Sequence, residues 1–248
     1  MADPTTETSP EGTQTEPPGG SGAMFDRIAH RYDLLNRIMS GGVDRRWRRR
    51  AVRALAPASG SRILDLGTGT GDLALAVLAR APDAHVTGID PSPQMLERAR
   101  DKARRARFDE QVELHVGAAE DIPAEDDAFD GACIGFGIRN VSDRPRALCE
   151  LARVVKPGGR VVILELSEPT SGVIAPFARW YIHRAVPRIG ALLSGTREYR
   201  YLERSIAAFP PPEVFAEMMQ EAGLEGIEVH PLSFGACHIF AGSVREAP

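Results

Sequence analysis

Short apolar runs alternate with helical segments through the middle of the chain, and this alternation limits the fold more than any other feature of the sequence. Each run has the length of a buried strand, and each intervening segment repeats apolar residues every three or four positions. The predicted strands are residues 62–66, 85–90, 112–116, 129–135 and 160–166, and the predicted helices between them are residues 72–80, 93–105 and 144–155. This order predicts an α/β fold, in which helices cover both faces of a parallel sheet.

The last part of the chain departs from this order. A predicted helix at residues 212–222 precedes two predicted strands, residues 227–231 and 237–243, which are separated by a short turn around Phe234. Strands this close in sequence pair antiparallel, because a parallel crossover needs about a dozen residues or more. We therefore predict a seven-stranded, mostly parallel sheet with an antiparallel last strand. The Lys-Pro-Gly-Gly sequence at residues 156–159 predicts another turn, just before the fifth strand.

The N-terminal region contains a polar segment followed by two predicted helices at residues 24–56. Residues 1–23 hold four acidic residues, no Lys or Arg and no aromatic residue, so we predict a disordered acidic tail. We expect residues 24–248 to form a single domain with residues 24–56 as an N-terminal helical lid. Residues 172–209 are too long for a plain connection and predict a helical insertion, which is either a second lid or an extra packing helix pair.

Composition argues against several classes of protein. The longest stretch without a charged residue, 229–244, is shorter than the roughly 20 residues that cross a bilayer. Three widely spaced cysteines fit reduced thiols in a cytoplasm better than a disulfide framework, and the acidic N-terminus does not resemble a secretory signal. The histidines lack the H-E-x-x-H spacing and no G-x-S-x-G occurs, so we predict neither a metal site nor a serine hydrolase.

A glycine-rich loop follows the first predicted strand and leads directly into a helix. Gly67, Gly69 and Gly71 alternate with threonines, which allows a tight turn and brings backbone N–H groups close to a ligand. Asp90 follows Gly71 by 19 residues, at the end of the second strand, where a carboxylate can accept both hydroxyls of a ribose. The pattern predicts a cofactor that contains a nucleoside.

Two cofactor classes share this arrangement. Dinucleotide enzymes use G-x-G-x-x-G, whereas the spacing here is G-x-G-x-G, and Asp65 precedes the first glycine by two residues. A carboxylate at that position repels a pyrophosphate but suits the ammonium and sulfonium charges of S-adenosylmethionine. No Tyr is followed by Lys four residues later, as the base of a short-chain dehydrogenase would require. S-adenosylmethionine is therefore favoured over NAD(P).

Four motifs, one of which contains the glycine loop, make a resemblance to one family specific. They are FDRIAHRYDLLN at residues 25–36, LDLGTGTGD at 64–72, GIRNVSD at 137–143 and YRYL at 199–202. With them, residues 24–244 resemble the ubiquinone/menaquinone biosynthesis C-methyltransferase family, of the demethylmenaquinone methyltransferase type. The glycine loop is common to many methyltransferases, so Arg139-Asn140 and the YRYL sequence distinguish the family. The resemblance implies a Rossmann-like class I methyltransferase fold.

The resemblance also implies which residues bind S-adenosylmethionine. Together with the loop pattern, it assigns the cofactor to Asp65, Gly67, Gly69, Thr70, Gly71, Asp90, Ala118, Ala119 and Gly135. Two of these positions depart from the family pattern, which has Asn or Asp in place of Ala118 and Ser in place of Gly135. Backbone groups would have to make the cofactor contacts at these two positions.

The implied reaction is methylation of a ring carbon in a prenylated quinol, from demethylmenaquinol to menaquinol. Alternatives are the ubiquinone precursor 2-methoxy-6-polyprenyl-1,4-benzoquinol or another small substrate. Arg139 and Asn140 follow the fourth strand and are expected to hold the quinol oxygens, unless Arg139 only pairs with Asp143. Tyr32 and Asp33 lie on the lid helix, where Tyr32 would contact the cofactor and either Asp33 or His30 would accept a proton through water, unless these residues only pack or cap the helix.

Charge patterns suggest the remaining partners. The arginines at residues 45–50 form either a solvated helix face or a contact with anionic lipid, which a membrane-resident prenyl quinol would require. We therefore expect a cytoplasmic enzyme with transient contact with the inner face of the membrane. Outside residues 1–23 the charge is balanced and no D/N-P-P-Y/F sequence follows the fourth strand, so nucleic acid is not an expected partner. A homodimer is left open.

Overall fold

The computed structural model describes residues 22–167 and 196–246, and these residues form seven helices and seven strands. The helices are α1 (Gly22–Met39), α2 (Asp44–Leu55), α3 (Asp72–Arg80), α4 (Pro93–Ala106), α5 (Arg144–Val154), α6 (Thr196–Ala207) and α7 (Pro212–Glu221). The strands are β1 (Arg62–Leu66), β2 (His85–Asp90), β3 (Val112–Val116), β4 (Phe129–Gly135), β5 (Val155–Leu166), β6 (Leu224–Leu232) and β7 (Cys237–Val244). Short 3-10 helices lie at Ile138–Asn140 and Ser233–Gly235.

All seven strands belong to one sheet in the order β3-β2-β1-β4-β5-β7-β6. Strands β1 to β5 pair parallel with their neighbours, whereas β7 pairs antiparallel with both β5 and β6. The predicted mostly parallel sheet with an antiparallel last strand is confirmed. The chain reverses its direction across the sheet between β1 and β4, which is where open α/β sheets bind ligands.

Helices cover both faces of the sheet, as predicted. In β1, Ile63 packs with α2 and α3, while Leu64 and Leu66 point to the other face and pack with α5 and α7. This follows from the strand period of two, since consecutive side chains point to opposite faces. Leu64 and Leu66 are almost completely buried. Burial of a leucine is worth about 1.5–3 kcal/mol, so these contacts hold the site-forming end of β1 firmly in place.

The sequence around Lys156 to Gly159 lies within β5 instead of forming a separate turn ahead of it. Val155 pairs with Phe129 and Arg160 pairs with Gly131, so four residues of β5 face a single residue of β4. Gly158 has a φ of +76°, which permits the resulting bulge. The prediction that the strand starts at residue 160 is therefore wrong by five residues, although the bend that the sequence indicated is present.

The structure also revises the boundaries of the terminal regions. Helix α1 begins at Gly22, two residues before the predicted start of the helical lid at residue 24, and residues 1–21 lie outside the described residues. Of the predicted insertion at residues 172–209, residues 172–195 also lie outside them, and residues 196–207 form α6. Across the described parts of the chain, no helix has the length and apolar character needed to cross a membrane.

Candidate active site

The glycine loop connects β1 to α3 at the carboxyl edge of the sheet. Gly67, Gly69 and Gly71 all have positive φ values, from +54° to +81°, which side chains rarely tolerate. A Cβ atom at Gly71 would lie 3.1 Å from the Cβ of Ala99, so α4 also packs closely against the loop. The Thr68 N–H donates to the Ile89 carbonyl at 3.0 Å and joins the loop to the end of β2. These constraints leave the loop backbone exposed to a ligand.

Asp90 ends β2 beside this loop and is held in one orientation. Its Oδ2 atom accepts from the Gly69 N–H at 2.8 Å, and its Oδ1 atom accepts from the Ser92 N–H at 2.9 Å. Burial raises the pKa of Asp90, although both backbone donors oppose this shift. Each carboxylate oxygen retains a further lone pair. Asp90 is therefore fixed and still able to accept hydrogen bonds from a pair of hydroxyls.

A cavity opens in front of the loop and Asp90, between β1, β2, β4 and α1. Its apolar walls are formed by Phe25, Leu66, Ile89, Pro91, Met95, Ile134, Phe136 and Val141. The predicted cofactor residues that line it are Gly67, Gly69, Asp90, Ala118, Ala119 and Gly135, and the predicted catalytic residues that line it are Tyr32 and Asn140. At Gly135 a Cβ would point to the Leu73 side chain, 3.1 Å away, so its backbone is the part available to a ligand.

Asp65 is among the predicted site residues that do not line this cavity in the described structure. It is completely buried, and its Oδ2 atom accepts from the Thr68 hydroxyl at 2.6 Å and the Ala74 N–H at 3.0 Å. Burial raises the pKa of Asp65 from its ordinary value of 3.8 to about 6. The Asp65 carboxylate therefore connects the glycine loop to the first turn of α3 from the buried side of the loop.

Asp33 also points away from the cavity, into a charged cluster behind the loop. Its carboxylate lies 2.5 Å from the Lys102 ammonium and accepts from the Thr70 hydroxyl at 2.6 Å. Lys102 also contacts Asp72 at 2.6 Å. Thr70 is almost fully buried by these contacts. The cluster joins α1, the glycine loop, α3 and α4. Asp33 and Thr70 therefore affect the site indirectly, by fixing the positions of those elements.

Helix α1 borders the cavity, and two adjacent faces of the helix make different contacts. Phe25 and Tyr32 line the cavity, and their rings meet edge to face with centroids 6.2 Å apart. The residue after each of these aromatic residues is an aspartate that contacts α4. Asp26 accepts hydrogen bonds from the Ser92 hydroxyl and the Gln94 N–H at the start of α4. Asp33 forms an ion pair with Lys102. Residues seven apart share a helix face. One face of α1 therefore covers the cavity and the next is attached to α4.

Arg139 lies in the 3-10 helix after β4, and its carboxylate partner is Glu165; the alternative in which it pairs with Asp143 is wrong. The Arg139 Nη1 atom donates to Glu165 Oε1 and to the Phe136 carbonyl, both at 2.6 Å. Burial alone lowers the pKa of the Arg139 guanidinium, but the Glu165 carboxylate outweighs this effect and raises the pKa. Asp143 instead caps α5 by accepting from the Arg146 N–H. Arg139 thus stays charged although it is only 8% exposed.

Around Arg139, donors and acceptors from three elements come together. The Tyr201 hydroxyl on α6 donates to Asn140 Oδ1 at 3.0 Å, and Asn140 lines the cavity. Tyr32 and Tyr201 both lie close enough to affect the Arg139 pKa. The buried Arg139 Nε–H has no hydrogen-bond partner among the described residues. A buried donor without an acceptor is costly, which fits an acceptor that arrives with a ligand.

Sequence reasoning missed three participants in this site. Glu165 is the single acidic residue in an otherwise apolar strand segment, which was an available signal for a buried ion pair. Lys102 is one of two lysines in the chain, yet on α4 it resembles an ordinary solvated residue. The hydrogen bond of Tyr201 to Asn140 joins residues 61 positions apart, so no local pattern could indicate it.

The sheet order, the glycine loop and the carboxylate after β2 define a Rossmann-like, class I S-adenosylmethionine-dependent methyltransferase. The model of the ubiE/COQ5 methyltransferase family matches residues 18–244, and the chain belongs to this family.

Relatives and solved structures agree with this assignment. The chain is 47% identical over 220 residues to demethylmenaquinone methyltransferase of Thermus thermophilus, covering 88% of this chain and 99% of the relative. It is 46% identical over 219 residues to ubiquinone/menaquinone biosynthesis C-methyltransferase UbiE of Syntrophotalea carbinolica, covering 88% and 92% of the two chains. A SAM-dependent methyltransferase structure from Thermotoga maritima aligns with a TM-score of 0.63 at 22% identity, covering 88% and 97%, and supports the fold.

The cavity fits the cofactor of this class, S-adenosylmethionine. Asp90 offers fixed acceptors for the ribose hydroxyls, and Gly67 and Gly69, which line the cavity and have no side chain, let the rest of the molecule approach closely. Ile89 and Met95 supply an apolar wall for the base. The predicted dependence on S-adenosylmethionine is confirmed by the family and the fold.

Proposed function

We propose that the protein methylates a ring carbon of a prenylated quinol, converting demethylmenaquinol to menaquinol. The observation that carries this proposal is the buried, charged Arg139 beside the cavity-lining Asn140 and Tyr32, with an Nε–H that no described residue accepts from. The two relatives described above carry names that specify quinone substrates, which supports the same chemistry.

The reaction needs negative charge on the quinol ring. Bound S-adenosylmethionine supplies an electrophilic methyl group. The ring carbon becomes nucleophilic when a neighbouring hydroxyl loses its proton, but an unperturbed phenol has a pKa near 10. Arg139 is too weak an acid to be a free base at neutral pH, so its role is to stabilise the phenolate electrostatically. Its burial strengthens that interaction, since water competes less for the charge.

The other residues around the cavity orient the reactants. Asn140 holds a quinol oxygen, and Glu165 positions Arg139 through its hydrogen bonds to the side chain and the backbone of that residue. Tyr32 closes the cavity from α1. Asp33, expected from the sequence to accept a proton, instead holds α1 in place through Lys102. The role of proton acceptor is left without an assigned residue.

Cofactor contacts divide into direct and supporting ones. Asp90 binds the ribose, Ala118 and Ala119 contact the adenine through their backbone, and Gly67, Gly69 and Gly135 allow close approach. Asp65, Thr70 and Gly71 act from behind the loop by fixing its shape.

A direct assay distinguishes the candidate substrates. Purified protein with S-adenosylmethionine is incubated separately with demethylmenaquinol and with 2-methoxy-6-polyprenyl-1,4-benzoquinol, and the products are analysed by mass spectrometry. We expect addition of one methyl group to demethylmenaquinol. Methylation of the benzoquinol alone would move the substrate to the ubiquinone pathway, and methylation of neither would refute the proposal.

The prenyl tail determines where the enzyme works. Because a polyprenyl chain resides in the bilayer, we propose a cytoplasmic enzyme that contacts the inner face of the membrane transiently through the arginines at residues 45–50. Nucleic acid is not a proposed partner. A homodimer stays a prediction, which light scattering of the purified protein would test.

A further inference from the structure

Helix α2 has one buried face and one face made of arginines. Trp47, Ala51 and Val52 pack into the core, whereas the opposite side presents exposed arginines whose side chains enclose a shallow surface groove. These arginines are Arg46, Arg49, Arg50 and Arg53. None of them pairs with a carboxylate within residues 22–167 and 196–246. Like charges at these spacings repel one another, so this groove favours an anion.

A second unusual feature lies in the turn between β6 and β7. Phe234 is 68% exposed, the most of any large apolar residue in the described structure. Its backbone has φ +60° and ψ +34°, a left-handed conformation that is rare for a bulky side chain. Phe234 thus combines a largely exposed aromatic ring with a strained backbone, and the contacts described for residues 22–167 and 196–246 do not explain this combination.

The two features lie next to each other. The Trp47 indole Nε1 on α2 donates to the hydroxyl of Ser233, the residue before Phe234, at 3.1 Å. Val43, one helical turn before Trp47, is also 40% exposed. Just after the turn, Cys237 pairs with Leu166 at the carboxyl end of β5. The exposed apolar residues therefore lie near the carboxyl ends of the parallel strands, where the cavity also opens. The arginine groove runs from there along α2.

We propose that Phe234, Val43 and the arginine face of α2 form a docking surface for a bilayer of anionic phospholipid. The arginines attract phosphate headgroups, and the exposed aromatic ring enters the interface beside them. Free phosphate or a nucleic acid would use the arginines alone and would leave Phe234 without a role. This inference rests on the proposed function, because docking at this surface would bring the cavity to the membrane that holds the prenyl quinol substrate.

The test measures binding of the full chain to lipid vesicles by co-sedimentation. Vesicles of phosphatidylcholine alone are compared with vesicles that also contain phosphatidylglycerol, and we expect binding to the anionic vesicles only. A basic residue near an anionic surface is worth about fivefold in affinity, so Arg46→Gln/Arg53→Gln should weaken binding by about 25-fold. Phe234→Ser should weaken it by about tenfold.

Matched control variants separate the effect of this surface from a general effect of losing positive charge or exposed apolar area. Arg98→Gln/Arg105→Gln removes two exposed arginines with the same spacing of seven on α4, and Val214→Ser removes an exposed apolar residue on α7. Both controls should bind anionic vesicles like the parent protein. Melting temperatures of all variants check that they fold.

Several results would overturn the proposal. These are no preference for anionic vesicles, equal loss in the control variants, or binding of a single-stranded oligonucleotide that Arg46→Gln/Arg53→Gln abolishes while vesicle binding persists. Methylation of a water-soluble quinol analogue should be unchanged in the docking variants. If no quinol is methylated but vesicle binding depends on these residues, the proposed function fails and the docking surface stands.

Discussion

Replacing Asp65 with Asn tests how a completely buried carboxyl supports the cofactor loop. Both of its strong donors, the Thr68 hydroxyl and the Ala74 N–H, use the same oxygen, Oδ2. The Oδ1 atom of an asparagine can accept both, so the variant keeps these hydrogen bonds while it loses the titrating group. The substitution also replaces Oδ1, which lies 3.8 Å from the Cys133 Sγ atom, by an NH2 group, but this change does not depend on pH, so the pH dependence isolates the cost of the buried charge.

The magnitude follows from the shift in the Asp65 pKa, from 3.8 to about 6. Each unit corresponds to about 1.4 kcal/mol, so the whole shift is worth about 3 kcal/mol. The folded state binds this proton more tightly than the unfolded state. The stability that protonated Asp65 contributes is fully present below pH 3.8 and is lost as the pH rises through about 6.

Urea unfolding of the parent and Asp65→Asn proteins between pH 4 and 7.5 measures this cost. All other titrating groups are shared, so over this pH range the difference in unfolding free energy should change by about 2.5 kcal/mol in favour of the variant as the pH rises. Calorimetry should show S-adenosylhomocysteine affinity within about threefold of the parent, since the loop keeps its bonds. A pH-independent difference would refute the buried-charge argument, and a loss of affinity above tenfold would show that the Asp65 charge acts on the cofactor.

Two other variants test the cofactor site and the attachment of α1. Asp90→Ala removes the acceptors proposed for the ribose hydroxyls, so S-adenosylhomocysteine affinity measured by calorimetry should fall at least about tenfold, and unchanged affinity in the folded variant would contradict the assignment. Lys102→Met leaves Asp33 and Asp72 without their shared cation and should weaken the same affinity by about fivefold through a looser α1. Lys156→Met, which breaks an exposed pair with Asp130, is the matched control, and an equal effect there would contradict the role of Lys102.

Local sequence patterns predicted most of the central sheet because periodicity and glycine positions act over a few residues. Strands β1 to β4 and helix α3 have the predicted bounds. In contrast, β5 starts five residues early, since the bulge at residues 156–159 depends on its pairing with β4. The Lys-Pro-Gly-Gly sequence fits either a turn or a β-bulge, and the two cannot be told apart until the partner strand is known.

The roles of side chains were harder to predict, because they depend on helix rotation and on distant partners. Tyr32 and Asp33 are adjacent, but successive residues on a helix point about 100° apart. Tyr32 therefore faces the cavity, whereas Asp33 faces Lys102 on α4. A local partner for Arg139, Asp143, was the alternative to a role at the quinol oxygens, yet Arg139 pairs with Glu165, 26 residues away on β5. The sheet order decides that contact, and the one signal in the sequence is that Glu165 is the single acidic residue in an apolar strand segment.

The most direct test of the central claim compares turnover with cofactor affinity in Arg139→Ala. If Arg139 stabilises a developing phenolate, its benefit is larger in the transition state, so kcat with a water-soluble quinol analogue should fall about ten- to a thousandfold. Calorimetric S-adenosylhomocysteine affinity should change little, because the proposed cofactor residues other than Gly135 precede β4, whereas Arg139 follows it. Arg139→Lys should restore activity only partly, since a point charge lacks the planar fork. Equal losses of kcat and affinity, or a melting temperature drop that explains the lost activity, would contradict the account.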